Sequence, residues 1–219
     1  DISPDGKYVV VAAGRNSGPT LAIIDVDLQE VDTVIQESLV GPIHITFSPD
    51  GQRAYVADPG QNAIVVIDLV NLVAEAIWPT GAEGTQEART SPDGNLLYVA
   101  NYEGNMLTVL DTSNGEILFS LPAGEQTHAV DVSSDGRHVW AVASGEIIVF
   151  DAENEYSIVD RLPLGSPNHV AFAPRGHEVY VTDTMNGSLT VIDPVSYKKL
   201  AEIPLGQSPH EISIVRVVN

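Results

Sequence analysis

Six residues able to bind a metal or move a proton recur at matching places along this chain: His44, Glu87, His128, His169, His210 and Glu211. Each stands at, or one residue before, the start of a short run that, except for the last, leads into an SPDG-like tetrapeptide. Neutral imidazole nitrogens and carboxylate oxygens are ligands that zinc, copper and iron accept. The same groups serve as general acids and bases. On one shared rim, three imidazoles would suffice for a first-row divalent transition metal, with a carboxylate or water completing its shell. Farther along the same runs, Arg89 and Asp131 stand at one level of neighbouring units and are expected to pair. Register complicates the cluster. His44 and His169 sit one position later than His128 and His210, so on alternating strands the two pairs face different ways. Three readings stay open: a ring of structural polar residues, which is favoured, a metal site, or a site for a small molecule or organic cofactor.

Other chemistries lack their residues. There is no cysteine, hence no disulfide, thiolate ligand or cysteine nucleophile. G-x-S-x-G, the phosphate-binding G-x-x-x-x-G-K and H-E-x-x-H are all missing. No catalytic residue is assigned. The aspartates ending one run per unit (Asp25, Asp68, Asp111, Asp151, Asp193) could be drawn as a metal ring, but an aspartate at a strand end more often bonds its own turn amides. Tyr55, Tyr98, Trp140 and Tyr180 also recur, and packing between units is their stronger reading.

These residues are positioned by a repeat. SPDG begins at Ser3, Ser48 and Ser91, SSDG at Ser133 and APRG at Ala173, with spacings of 45, 43, 42 and 40 residues. Around each tetrapeptide come four runs of four to seven residues, rich in Val, Ile, Tyr and Thr and bounded by Gly, Pro, Asn or Asp. These are strand and turn signals. In Pro-Asp-Gly, proline presets φ and glycine accepts a positive φ. The stretch 69–77 would pass for a helix alone, but its place in the repeat says strand. Segment 81–94, GAEGTQEARTSPDG, has two glutamates where other units carry Pro-His, and drift of the repeat explains it better than a functional loop. Four short strands per unit of about 40 residues predict a β-propeller blade.

The SPDG, YVAN and VID elements, followed by a Pro-x-Gly turn, resemble the YVTN family of propeller repeats over the whole chain. That resemblance implies an all-β fold and an extracytoplasmic setting, periplasmic or at the cell surface. It also supplies a structural role for Pro209-His210, since a Pro-His pair is common at this turn. The family often builds seven or eight blades, whereas five repeats are present here. We therefore expect residues 1–219 to form one β-propeller domain of five blades, each of four antiparallel strands. Only Asp1-Ile2 precede the first SPDG, and 209–219 read as a leading strand without one. Aligning Val215 with the SPDG serine gives a last spacing of 42. Residues 210–217 are thus expected to pair with the strand near 7–13 and close the first blade.

Charge restricts partners. Thirty acidic residues against ten basic ones leave a formal net charge of −20, which disfavours nucleic acid and anionic membrane surfaces. No run of 18 apolar residues suggests a membrane-spanning helix, and DISPDGKY does not read as a signal peptide. The favoured expectation is a non-catalytic extracytoplasmic scaffold, binding a protein or polymer through loops on one face and the channel mouth. Two others compete: a metal- or cofactor-bearing subunit of a periplasmic redox enzyme within a larger assembly, and a propeller hydrolase or lactonase.

Overall fold

The computed structural model describes residues 1–13 and 18–214, and among them every regular element is a β-strand. Five antiparallel sheets follow one another in chain order, the blades of a propeller. The first contains β1 (Tyr8–Ala13), β2 (Thr20–Asp25) and β3 (Glu30–Ile35). The second contains β4 (His44–Phe47), β5 (Arg53–Asp58), β6 (Ala63–Asp68) and β7 (Val73–Pro79), so of the stretch 69–77 residues 73–77 are strand as the repeat predicts, while 69–72 form the turn before it. The third contains β8 (Thr85–Thr90), β9 (Leu96–Asn101), β10 (Met106–Asp111) and β11 (Ile117–Pro122). The fourth contains β12 (Ala129–Val132), β13 (His138–Ala143), β14 (Glu146–Asp151) and β15 (Ser157–Pro163). The fifth contains β16 (Pro167–Phe172), β17 (Val179–Asp183), β18 (Ser188–Ile192) and β19 (Lys199–Pro204).

The tetrapeptides form the turns between the first and second strands of a full blade. Ser3, Ser48, Ser91 and Ser133 each donate a 2.6 Å hydrogen bond from Oγ to the aspartate two residues on. The same Oγ accepts the backbone N–H five residues on, at Tyr8, Arg53, Leu96 and His138. The closing glycine takes the positive φ that the turn needs, as at Gly51 (70°) and Gly94 (76°). The strand-ending aspartates bond their own turns: Asp25 accepts Leu28 N–H, Asp68 Val70 and Asn71, Asp111 Ser113, Asp151 Glu153, and Asp193 Val195 and Ser196.

The core lies between blades. Successive side chains along a strand point to opposite faces, so a central strand feeds two interfaces. Val56 packs with Tyr8, Leu21 and Phe47 between the first two blades, while its neighbour Tyr55 packs with Trp78 and Val99 between the second and third. Tyr98 and Phe150 join the third blade to the fourth, and Trp140 and Val181 the fourth to the fifth. Three of the four recurrent aromatics are thus interface residues, Tyr55, Tyr98 and Trp140 being at most 1% exposed. Tyr180 differs: it is half-buried and donates its hydroxyl to Glu178. On each blade, the pairing of the outer two strands carries a register shift near the same place, a bulge that adds twist.

The first blade has three strands among the described residues. Ahead of them Asp1 exchanges backbone hydrogen bonds with Val10, and Ile2 bridges Val9, so the N-terminus occupies the leading-strand position. The expected pairing of 210–217 with the first blade reaches into residues 215–217, outside the described residues. Residues 210–214 form no strand, but Glu211, Ile212 and Ser213 share a cavity with Val10, Val11 and Ala12.

Candidate functional site at the axial mouth

The leading strands β4, β8, β12 and β16 stand side by side, and their first residues share one end of the propeller, opposite the SPDG turns. Two of them carry a bulge there. The register shifts between Thr85 and Glu87 in β8, and between Pro167 and Val170 in β16. Bulges re-aim side chains, and these two occur where Glu87 and His169 enter the axis. At the second bulge His169 N–H is bound by the hydroxyl of Thr182 (3.0 Å). That hydroxyl donates to the His210 carbonyl (2.8 Å), and Thr184 Oγ1 donates to the Pro209 carbonyl (2.9 Å). Strand β17 and the residue after it thereby hold the C-terminal stretch against the mouth.

The side chains gather into one cluster. His44 and His169 have ring centroids 5.8 Å apart, and His169 and His210 5.1 Å. One ligand atom from each of His44, His169 and Glu211 lies within 4.8 Å of the others. Glu87 Oε2 approaches His169 Nε2 to 3.5 Å, although the residues belong to the third and fifth blades. Glu87 is 1% exposed and His169 7%. Arg89 Nη2 anchors Glu87 through Oε1 at 2.7 Å.

Asp131 and His128 occupy other environments. Asp131 accepts Val132 N–H (2.9 Å) and Phe172 N–H (2.8 Å), so the cation that faces Glu87 meets Asp131 without an ion pair among the described residues. The expected Arg89–Asp131 pair is replaced by one within β8, because Glu87 and Arg89 are two apart on one face. His128 Nδ1 lies 2.7 Å from the Gln126 carbonyl, and its ring meets Tyr102 edge-on. It lines a second cavity, of about 410 Å³, that adjoins the cluster through His169 and His210. The cavity containing His44, Glu87, Arg89 and Glu211 measures about 330 Å³ and also touches His169. A larger groove of about 700 Å³ lies at the SPDG end, but Ser48, Asp50, Asp68 and Asp93 there spend their oxygens on turns.

Burial controls the electrostatics of the mouth. Desolvation pushes Glu87 up to about 7, against the pull of Arg89 and with Asp131 and Glu211 adding to the rise. Asp131 is raised by burial too, with Arg89 and its two amide donors opposing. Burial works against the Arg89 cation, yet Glu87, Asp131 and Glu211 together hold its pKa above the ordinary value. Burial, then His44 and His210, bring His169 down to about 3, and burial also lowers His44. Both imidazoles are therefore neutral at pH 7, with a lone pair to offer.

Sequence reasoning missed the residues that hold the loops. Asp58 is fully buried and accepts Val40 and Gly41 N–H, tying down the segment before His44. Asp183 accepts Ser166 and Asn186 N–H and does the same before His169. The signal was present as the recurrent Asp or Asn ending the second strand.

An all-β propeller with a polar axial mouth is thus the class that fold and site define. The chain belongs to the lactonase, seven-bladed β-propeller family, whose model matches residues 1–121 and again 78–207. Among solved structures it is similar to Kuenenia stuttgartiensis hydrazine synthase, with a TM-score of 0.81 at 22% identity, over 93% of this chain and 64% of that one. It is also similar to a functionally unknown protein from Desulfotomaculum acetoxidans DSM 771, with a TM-score of 0.78 at 20% identity, over 93% of this chain and 70% of that one. The chain therefore spans about two thirds of the length of these structures, and at such identities the likeness shows the fold alone. No curated protein matches the sequence.

Proposed function

We propose that this propeller is a binding module whose recognition site is the axial mouth, working outside the cytoplasm as its YVTN-like repeats suggest. The observation that carries the reading is the convergence of His44, Glu87, Arg89, His169 and Glu211 on one cavity, which His169 shares with a second, with buried polar atoms left unpaired. Glu87 Oε2, His169 Nε2 and His128 Nε2 are buried and lack hydrogen-bond partners. Such groups cost about 1–3 kcal/mol each unless a ligand or water engages them. Arg89, partly exposed beside the smaller cavity, suits a small carboxylate. The test is a thermal-shift panel of small carboxylates, sugar acids and lactones on chelator-stripped protein. At least one compound should raise the melting temperature of the wild type and not of Arg89→Met. A panel without any shift counts against the mouth as a binding site.

A second reading has its own support, in the lactonase family model and in His128. The Gln126 carbonyl holds the proton on His128 Nδ1, leaving Nε2 as an acceptor beside the larger cavity. Such an imidazole would take a proton from water as the oxygen adds to a lactone carbonyl, and return it to the ring oxygen as the C–O bond breaks. Hydrolysis of glucono-δ-lactone, followed by acid release, should then fall at least 100-fold in His128→Ala. A rate equal to the buffer rate in the wild type removes this reading.

A further inference from the structure

We propose that the axial mouth is a metal centre: a divalent first-row transition ion held by His44, His169 and Glu211, with Glu87 beside His169. The inference rests on the reading of the mouth as a binding site and names what is bound there.

The geometry of His169 carries it. Its Nδ1 faces two oxygens, Asn168 Oδ1 at 2.6 Å and the His210 carbonyl at 3.1 Å. A carbonyl only accepts, so Nδ1 bears the proton and Nε2 the lone pair. This is the arrangement of metal-ligating histidines, whose other ring nitrogen donates to a carbonyl or carboxylate. Nε2 is buried without a partner, and the nearest carboxylate oxygen, Glu87 Oε2 at 3.5 Å, is buried without a partner too. With the Glu87 carboxyl ionised, two lone-pair atoms face each other in a low-dielectric pocket and repel, and a cation between them removes the conflict. Their separation is the right one. Ligands about 2.0–2.1 Å from a tetrahedral ion lie about 3.3 Å from each other.

The remaining donors complete the set. One ligand atom from each of His44, His169 and Glu211 lies within 4.8 Å of the others. Closing to about 3.3 Å asks for small side-chain movements, and Glu211, exposed on a stretch outside any strand, is free to make them. Two imidazoles with one or two carboxylates is a donor set that zinc and ferrous iron take. Arg89 clamps the far oxygen of Glu87 and orients its carboxylate toward His169. The ion would join the leading strands of the second and fifth blades to the C-terminal stretch. The other two histidines, His138 and His177, follow the turn glycines at the opposite end and take no part.

The test uses the whole chain, expressed without a histidine tag, stripped with chelator and titrated with Zn2+ and Co2+ by calorimetry and visible absorption. One ion per chain should bind, Co2+ should develop the d–d bands of a low-symmetry, four-coordinate site, and Zn2+ at 100 Kd should raise the melting temperature by about 5–10 °C. His44→Gln, chosen because His44 is the less buried imidazole, should weaken Zn2+ at least 100-fold with an unchanged circular dichroism spectrum. Glu211→Gln should weaken it about 10-fold or more, and His138→Gln and His177→Gln should leave it unchanged. Absence of saturable uptake by the stripped protein overturns the centre, as does uptake that survives His44→Gln. If Glu87 instead shares a proton with His169, the wild type will take up no ion. The carboxylate and lactone panel is run on metal-free protein, so shifts there without metal uptake overturn only the metal, whereas failure of both overturns the mouth.

Discussion

Thr182→Val isolates the contact on which the mouth depends. The Thr182 side chain is 2% exposed, and its hydroxyl joins His169 N–H to the His210 carbonyl. Valine keeps the branched shape and removes the oxygen. His169 N–H, which the β16 bulge has taken out of the ladder, then loses its partner inside the protein, at a cost of about 1–3 kcal/mol. The His210 carbonyl loses less, because His169 Nδ1 still approaches it and the residue is exposed. The added methyl returns at most about 0.8 kcal/mol. The net expectation is a loss of about 2 kcal/mol, or about 4–8 °C in melting temperature for a chain of this size. Equilibrium urea unfolding in chelator measures it, with Thr182→Ser as the control. Serine keeps the hydroxyl and gives up one methyl, so it should cost about 0.8 kcal/mol. Hydrogen exchange adds a local readout, since the His169 amide should lose protection in the valine variant and keep it in the serine variant. If serine proves as damaging as valine, or valine costs under about 0.5 kcal/mol, the hydroxyl does not hold this end of the propeller.

Three further outcomes are expected. Trp140→Ala should cost about 3–5 kcal/mol, because the ring is fully buried against Phe172 and Tyr197, whereas Tyr180→Ala at the matching but half-buried position should cost about 1 kcal/mol or less; chemical denaturation of both compares them. Asp5, Asp50, Asp93 and Asp135 are held below the ordinary carboxylate range, chiefly by the serine hydroxyl of each turn. A lowered folded pKa means that their contribution is complete above about pH 4 and is lost as pH falls through the folded values, so urea midpoints measured down to pH 2.5 should drop in that window, and less so in Asp50→Asn/Asp93→Asn. With a net charge of −20 the protein should not retard duplex DNA at physiological salt, and a salt-sensitive gel shift would contradict the electrostatic argument.

What was legible in the sequence follows from what a repeat can encode. A position used identically in every blade announces itself by recurrence, which is why the SPDG turns, the strand-ending aspartates and the interface aromatics could be assigned before any coordinates. Tyr180 shows the limit. It keeps the recurrent residue type, yet it is half-buried, because burial depends on what packs against the blade and recurrence does not encode that. His44, Glu87, His169 and Glu211 could be picked out for the opposite reason, as polar residues that break the pattern on the leading strands.

Their exact partners were not legible, and the cause is the backbone. Alignment on SPDG treats each leading strand as a regular ladder, in which a shift of one residue reverses the face of a side chain. Strands β8 and β16 each insert a bulge at the mouth, and β4 and β12 do not. The bulges bring Glu87 and His169 together across the axis from blades that are not neighbours, while His128, just before a strand without one, turns to the Gln126 carbonyl. The first bulge, Thr85-Gln86-Glu87, carries neither glycine nor proline to mark it, and the second, Asn168-His169 within Pro167–Val170, only the proline that opens it. Each is stabilised from elsewhere in the chain, the second by Thr182 and the first by a Thr85–Thr80 hydroxyl contact at 3.0 Å. A residue's candidacy for the site was therefore local information, readable from its type and place in the repeat. Its geometry was held by Thr182 on another strand and by Thr80 in the link before β8, whose roles appear only once the sheets are assembled.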